Sequence, residues 1–271
     1  MKHRLLTSLV CLLLTLPALP QTFVHPWQGK RVAYFGDSIT DPRNSGSKKK
    51  YWGFLQDWLQ ITPYVYGISG RQWNDIPRQT DKLKQEHGQD VDAIIVFIGT
   101  NDFNGSIPMG EWYTYSYEKT VVANSRQPRG EVVRKHRELV YDDETFKGRA
   151  NTTLRWLKTH YPDKQIIFLT PIHRAYATFG EGNIQPPESF ANACGLFIDD
   201  YVQAVQELSN VWAVPVIDLN SISGLYPLLD SQAHYFRNAE TDRLHPNTEG
   251  HVRMAWAIAC QLLGYPAAFP Q

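Results

Sequence analysis

Apolar runs rich in β-branched and aromatic residues alternate along this chain with stretches whose apolar positions recur at helical spacing. Five runs predict strands, over residues 31–35, 64–66, 93–98, 165–170 and 214–218. Helical spacing predicts helices over residues 51–59, 76–86, 144–160, 189–208 and 248–263. Such alternation is typical of βα units. It predicts an α/β domain built on a central, mostly parallel five-stranded sheet.

Two stretches interrupt the alternation. Residues 103–143 separate the third strand from its helix and form an insertion far longer than the roughly 2 to 6 residues usual for such a connection. Its tyrosines and tryptophan favour an ordered segment, and long loops of this kind are usually lids or disordered. Residues 171–188 form the second interruption, again directly after a strand.

The amino terminus has the pattern of a secretory signal peptide. Lys2, His3 and Arg4 precede an uncharged apolar run that Pro17 and Pro20 cut short of a bilayer span. We therefore expect residues 1–20 to be a signal peptide and residues 21–271 to be one exported domain, secreted or periplasmic. No later segment is long and apolar enough to anchor the chain stably in a membrane.

Charge and cysteine content exclude some classes of function. The whole chain has 27 basic and 27 acidic residues, and loss of the leader leaves a net charge of about −2. With this balance the chain lacks the excess of basic residues that is typical of nucleic-acid-binding proteins. Cys194 and Cys260 are the cysteines that remain, too few for a disulfide framework, and whether they pair is left open, as is the oligomeric state.

Chemically distinctive residues follow several predicted strands. The first strand leads into Gly36-Asp37-Ser38-Ile39-Thr40, the second into Gly67-Ile68-Ser69-Gly70 and the third into Gly99-Thr100-Asn101-Asp102. Asp242-Arg243-Leu244-His245-Pro246 precedes the last helix. Because ligands of open α/β sheets bind at the carboxyl ends of the strands, these segments should converge on one edge.

Together they supply the parts for acyl transfer. A serine hydroxyl such as that of Ser38 needs a base, and His245 can accept its proton and return it to the leaving group. Asp242 can fix the imidazole tautomer. The N–H groups of Ser38 and Gly70 and the side-chain amide of Asn101 are candidate donors to an oxyanion. Each segment alone also has a purely local explanation as a turn or helix cap.

The segments GDSIT, ISG, GTND and DRLHP occur in the order and spacing of the conserved blocks of SGNH (GDSL-type) hydrolases, which this chain resembles from about residue 32 to the final helix. The resemblance implies a flavodoxin-like three-layer sandwich, with Ser38 as nucleophile, Asp242 and His245 completing the triad, and Gly70 and Asn101 in the oxyanion hole. The long insertion departs from the smallest members of that family and leaves the substrate class open.

Exported members of the family often resemble carbohydrate esterases, so we expect a secreted esterase that removes O-acetyl groups from carbohydrates. Trp73, Trp112 and Arg174 are candidate substrate contacts, with core packing as the competing explanation for aromatic residues. One alternative is a lipase or lysophospholipase-like acylhydrolase. Another is a non-catalytic carbohydrate-binding protein on an esterase fold. Motifs of metallohydrolases and nucleotide-binding loops are absent from the sequence, so no metal or cofactor is expected.

Overall fold

A five-stranded parallel sheet forms the centre of the protein. The computed structural model describes residues 24–267. The strands in chain order are β1 Arg31–Gly36, β2 Thr62–Val65, β3 Ala93–Phe97, β4 Tyr113–Asn124, β5 Gln127–Leu139, β6 Gln165–Leu169, β7 Ala177–Thr178, β8 Ile184–Gln185, β9 Val216–Ile217, β10 Phe236–Asn238 and β11 Asp242–Pro246. The central sheet has the order β2-β1-β3-β6-β9 with every neighbouring pair parallel. The predicted sheet is therefore confirmed.

Helices cover both faces of this sheet. The α-helices are α1 Tyr51–Leu59, α2 Ile76–His87, α3 Thr100–Asn104, α4 Phe146–His160, α5 Ile198–Trp212, α6 Leu219–Ile222 and α7 Thr248–Leu262, with 3₁₀ turns at Trp73–Asp75 and Asp230–Tyr235. Alternate strand residues enter two separate cores: Phe35 and Phe168 pack on the α2, α4 and α5 side, whereas Tyr34 and Ile167 pack on the α1 and α7 side. The result is the expected three-layer sandwich.

The fourth long helix begins later than the sequence predicts. Its pattern indicated residues 189–208, but α5 runs from Ile198 to Trp212. The preceding residues form a loop because the Asn192 side-chain oxygen accepts hydrogen bonds from the backbone N–H groups of Cys194 and Leu196. Gly195 lies in this loop with φ of +75°. A local side-chain acceptor competes with the helix for those N–H groups.

The long insertion contains an antiparallel hairpin. Strands β4 and β5 pair from Tyr113 with Leu139 down to Asn124 with Gln127. At the base of the hairpin, the Asn151 amide donates to the carbonyl oxygens of Trp112 and Val140 at 3.1 and 2.8 Å. Most residues of the two strands are exposed. Within the insertion, residues 113–124 and 127–139 thus form paired strands and not an open loop.

A small second sheet carries the histidine segment. Its strand order is β10-β11-β7-β8, all antiparallel. The DRLHP segment, which precedes the last helix in the sequence, forms strand β11. The predicted leader lies outside the described residues. Between residues 24 and 267, no helix has the length and apolarity that a membrane crossing requires.

Candidate active site

Ser38, His245 and Asp242 form a continuous chain of hydrogen bonds. The distance between Ser38 Oγ and His245 Nε2 is 2.8 Å. On the other side of the ring, His245 Nδ1 lies 3.1 and 3.0 Å from the two carboxylate oxygens of Asp242. The imidazole and the carboxylate are buried, while Ser38 is partly accessible. Residues more than two hundred positions apart in sequence thus meet at one edge of the sheet.

The turn after β1 presents Ser38. The backbone N–H groups of Thr40 and Asp41 both donate to the carbonyl oxygen of Asp37, so the chain turns sharply as it leaves the strand. Just before this turn, Gly36 allows β1 to pass close to the end of β3, because a Cβ at that position would lie 2.4 Å from the carbonyl oxygen of Phe97. A larger residue there would force the nucleophile turn away from β3.

The loop after β2 presents Gly70 beside the serine. Ser69 donates from its N–H and its hydroxyl to Asp41 Oδ2, at 2.9 and 3.0 Å. Burial raises the pKa of Asp41, but hydrogen bonds from Arg43 and Ser69 outweigh it and bring the pKa to about 2. Gly70 has φ of +81°, a conformation that favours glycine. The ionised Asp41 therefore ties the two loops together at the site.

Asn101 enters the site from the first turn of α3. Its Nδ2 donates to the carbonyl oxygen of Arg71 at 3.0 Å and makes a long contact of 3.4 Å with Asp37 Oδ2. The amide nitrogen carries two hydrogens, so the one in the long contact can instead serve a bound oxyanion. Gln72 Nε2 donates to the Asn101 carbonyl oxygen at 2.8 Å and holds this turn in place.

Buried charges surround the nucleophile. Desolvation raises the pKa of Asp37 to about 6, against the N–H of Ile39 and the charges of His245 and Lys50. Desolvation also lowers the pKa of Lys50 to about 8. For Asp242, burial raises the pKa, but the hydrogen bond from His245, its charge and the backbone N–H groups together lower it below the usual value. The carboxylate beside the imidazole is thus ionised at neutral pH.

A cleft of about 330 Å³ opens over these groups. Its lining residues are Ser38, Asn44, Ser69, Gly70, Asn101, Phe179, Asn183, Gln185, Arg237, Leu244 and His245. A nucleophile paired with a base, a carboxylate behind the base and several N–H donors at the same edge can perform acyl transfer.

The match to a known family decides the class of enzyme. The model of the GDSL-like lipase/acylhydrolase family matches residues 34–253, which is most of the chain and includes all the residues of this arrangement. The chain belongs to this family. Membership implies a serine ester hydrolase. Among curated proteins, none matches the sequence.

Solved structures share the fold of this GDSL hydrolase. A protein of Lactobacillus plantarum is 24% identical, with 88% of this chain and 98% of that chain covered and a TM-score of 0.64. A possible lipase of Chitinophaga pinensis is 19% identical, with 87% and 99% covered and a TM-score of 0.61. A catalytic mutant of an acetylxylan esterase from Geobacillus stearothermophilus is 19% identical, with 90% and 98% covered and a TM-score of 0.50. At these identities the likeness shows the fold alone.

Neither of the two tryptophans predicted to contact substrate lines the cleft of this GDSL hydrolase. Trp73 is fully buried and stacks on Phe168 with ring centroids 5.4 Å apart. Trp112 is also buried, at the base of the hairpin, and its indole N–H donates to Glu207. The expectation that these residues contact substrate is wrong, because both indoles are buried and neither residue is part of the cleft lining. Their competing explanation as core residues is the correct one.

Arg174 is likewise enclosed, with only 1% of its surface exposed. Its Nη2 donates to Gln185 Oε1 at 2.8 Å, and its backbone N–H donates to Glu188 Oε2 at 2.8 Å. Desolvation lowers the pKa of Arg174 to about 10, against the charges of Glu188, Asp242 and Asp37. The direct substrate contact expected of Arg174 is therefore wrong, but the arginine reaches the cleft through Gln185.

Five residues of the cleft lining lie outside the sequence motifs: Asn44, Phe179, Asn183, Gln185 and Arg237. Three of them belong to the interrupted stretch 171–188, whose unusual length is the one sequence feature that could have indicated them. The Phe179 ring meets the His245 ring edge to face, with centroids 5.4 Å apart. Cys194 and Cys260 are both exposed free thiols and do not form a disulfide with each other.

Proposed function

We propose that this GDSL hydrolase removes O-acetyl groups from carbohydrates through an acyl-enzyme on Ser38. The observation that carries the proposal is the lining of the cleft around the Ser38–His245 pair. Among the described residues that form it, only Phe179 and Leu244 have apolar side chains, and most of the rest are amides, hydroxyls and a guanidinium. A long acyl chain would extend beyond these two apolar side chains, whereas the amides and hydroxyls suit a short acyl group on a polar alcohol.

The proposed steps use the groups that meet at this edge of the sheet. Ser38 Oγ attacks the ester carbonyl while its proton passes to His245 Nε2, 2.8 Å away. The carbonyl oxygen becomes negative and accepts hydrogen bonds from the N–H groups of Ser38 and Gly70 and from the Asn101 amide. His245 then gives the proton to the leaving alcohol as the C–O bond breaks. Water repeats the sequence on the acyl-enzyme and releases acetate.

Asp242 supports these steps without contacting the substrate. By accepting the hydrogen bond of His245 Nδ1, it keeps the proton on that nitrogen and leaves Nε2 free to act as a base. It also stabilises the imidazolium that forms as Ser38 attacks. The intact chain of hydrogen bonds argues against the alternative of a non-catalytic binding protein.

The test is acetate release from acetylated xylan and from monoacetylated sugars, measured beside p-nitrophenyl acetate and medium-chain p-nitrophenyl esters. We expect the wild type to favour acetyl esters and Ser38→Ala to lose activity on all of them. Equal slow hydrolysis by wild type and Ser38→Ala would refute the esterase. Preference for the medium-chain esters would refute the acetyl specificity.

One observation favours the lipase alternative. Phe179 in the cleft lining, and Ile184 and Phe190 on either side of Gln185 in the sequence, are exposed large apolar residues. Such a rim is typical of surfaces that contact lipid aggregates. Under that alternative, activity on medium-chain esters should rise steeply once the ester exceeds its solubility and forms aggregates. The polar lining behind this rim supports the carbohydrate proposal instead.

We also propose that the protein is exported, on the strength of the leader-like residues 1–20. Expression of the full chain followed by amino-terminal sequencing of the extracellular or periplasmic fraction tests this. We expect a mature protein that starts near residue 21. Full-length protein retained in the cytoplasm would contradict the proposal.

A further inference from the structure

A second cavity adjoins the catalytic cleft. Its volume is about 320 Å³, and it shares Asn183 and Gln185 with the cleft as a common wall. The scissile ester must lie over Ser38 on the cleft side. A substituent that extends from the ester across Asn183 and Gln185 therefore enters the second cavity. Its position makes it a site for the part of the substrate next to the reacting bond.

The common wall has a fixed hydrogen-bonding polarity. Arg174 is a donor only, so the Gln185 atom that it contacts at 2.8 Å must be the carbonyl oxygen. Gln185 Nε2 then donates to Asn183 Oδ1 at 3.0 Å. Both amide oxygens are engaged, which leaves one N–H of Gln185 and the NH₂ group of Asn183 for a ligand. The buried Arg174 thereby orients both amides so that their N–H groups are the ones available to a ligand.

The other walls combine polar groups with aromatic rings. The Asn104 side chain has no hydrogen-bond partner within residues 24–267. Ser106 Oγ accepts from the N–H of Ala193 at 3.0 Å, which leaves its own hydrogen free to donate. Phe190 lines the cavity with 60% of its surface exposed, and the buried Phe103 also lines it. Asn192 is committed to the loop and contributes shape only.

These features match one class of ligand. A sugar ring has hydroxyl oxygens that accept from amide N–H groups, and an apolar C–H face that packs on an aromatic ring. The volume of about 320 Å³ is at the small end of the roughly 300 to 1,000 Å³ usual for ligand sites. A single ring fits that size better than a chain of rings or a long acyl tail.

We propose that this cavity is the subsite for the sugar ring of the leaving alcohol, with Asn183, Gln185, Asn104 and Phe190 as its contacts. The proposal rests on the carbohydrate esterase function proposed above and specifies where its substrate binds. Arg174 is a positioning residue for this subsite, since it acts through Gln185.

The experiment compares Asn104→Ala and Phe190→Ala with the wild type on two acetyl esters, a monoacetylated methyl xyloside and p-nitrophenyl acetate. Phe197→Ala is the matched control, because Phe197 is also an exposed phenylalanine of the same region and lines neither cavity. We expect each test variant to lower the ratio of kcat/KM for the xyloside to kcat/KM for p-nitrophenyl acetate by about 3- to 10-fold, mainly through KM. The Phe197→Ala ratio should equal that of the wild type.

Circular dichroism and melting curves establish that each variant is folded. If the wild type hydrolyses the xyloside and both test variants keep the control ratio, the subsite is wrong while the carbohydrate esterase stands. If the wild type hydrolyses p-nitrophenyl acetate but not the xyloside or other acetylated sugars, the proposed function fails and the subsite fails with it. A selective loss confined to the two cavity variants supports the subsite.

Discussion

Replacing Asp242 by asparagine should remove activity while preserving the fold. Asp242 Oδ1 accepts from the backbone N–H groups of Leu244 and His245 at 3.2 and 3.1 Å, and an asparagine oxygen can keep both bonds. The new NH₂ group then replaces Oδ2, which lies 3.0 Å from His245 Nδ1. That nitrogen must now accept, so the ring proton moves to Nε2 and faces Ser38 Oγ. A base that already carries the proton cannot take another from the serine.

The magnitude follows from the two separate roles of the carboxylate. Loss of the correct tautomer costs on the order of 10⁴ in kcat in serine hydrolases that use the same constellation, and we expect about 10³ to 10⁴ here. Stability should change little for Asp242→Asn. Asp242→Ala, in contrast, leaves the buried N–H groups of Leu244 and His245 without an acceptor, at a cost of roughly 1 to 3 kcal/mol each.

The assay pairs kcat on p-nitrophenyl acetate with urea denaturation for the wild type and both variants. Expected results are two inactive variants of which only Asp242→Ala is strongly destabilised. Activity of Asp242→Asn within tenfold of the wild type would refute the assigned tautomer. Equal stability of the two variants would refute the structural role of Oδ1.

Three further changes test the surroundings of the site. Gly70→Ala and its control Gly29→Ala should each lower the free energy of unfolding by about 1 to 2 kcal/mol, since both glycines have positive φ and open space at Cβ. Only Gly70→Ala should lower kcat, by at least about tenfold, and equal kcat values for the two variants would contradict the oxyanion role of Gly70. Because the pKa of Asp37 is raised to about 6, its contribution to the free energy of unfolding falls as the pH rises from about 4 to 6. Between pH 4 and pH 8, the free energy of unfolding of Asp37→Asn should therefore rise by up to about 3 kcal/mol relative to that of the wild type, and a relative rise below about 1 kcal/mol would contradict the raised pKa. Replacing residues 115–137 with an Asn-Gly turn should leave folding and p-nitrophenyl acetate hydrolysis intact, because none of them lines the cleft, and a loss of activity would show that the hairpin supports the site.

Local patterns predicted the sheet and the segments that carry the site. The apolar run at residues 93–98 became β3, and the segments that follow β1, β2 and β3 bring Ser38, Gly70 and Asn101 to one edge. These positions follow from strand direction alone, since the carboxyl ends of parallel strands share an edge. The start of α5 was missed because its loop depends on one side chain, Asn192, and no periodicity reports such a hydrogen bond.

The substrate side of the site was beyond the reach of sequence patterns for a different reason. Arg174 was assigned to the substrate because it follows a strand, but burial and Gln185 decide what its guanidinium contacts. Trp73 was assigned there because it lies near a motif, but it packs on Phe168 in the core. Proximity along the chain fixes which edge a residue reaches. Only packing determines whether its side chain faces the ligand.

The Asp242 and His245 pair shows how a sequence spacing depends on local hydrogen bonds. In a regular strand, residues three apart point to opposite faces of the sheet, so a spacing of three should separate these side chains. Both nevertheless lie in β11 with the carboxylate 3.0 Å from the ring. The N–H groups of Leu244 and His245 turn back to Asp242 Oδ1 and bend the strand until the two side chains meet. The spacing works because the aspartate shapes the backbone that positions its own partner, so Asp242→Ala should disturb the geometry of His245 as well as its charge.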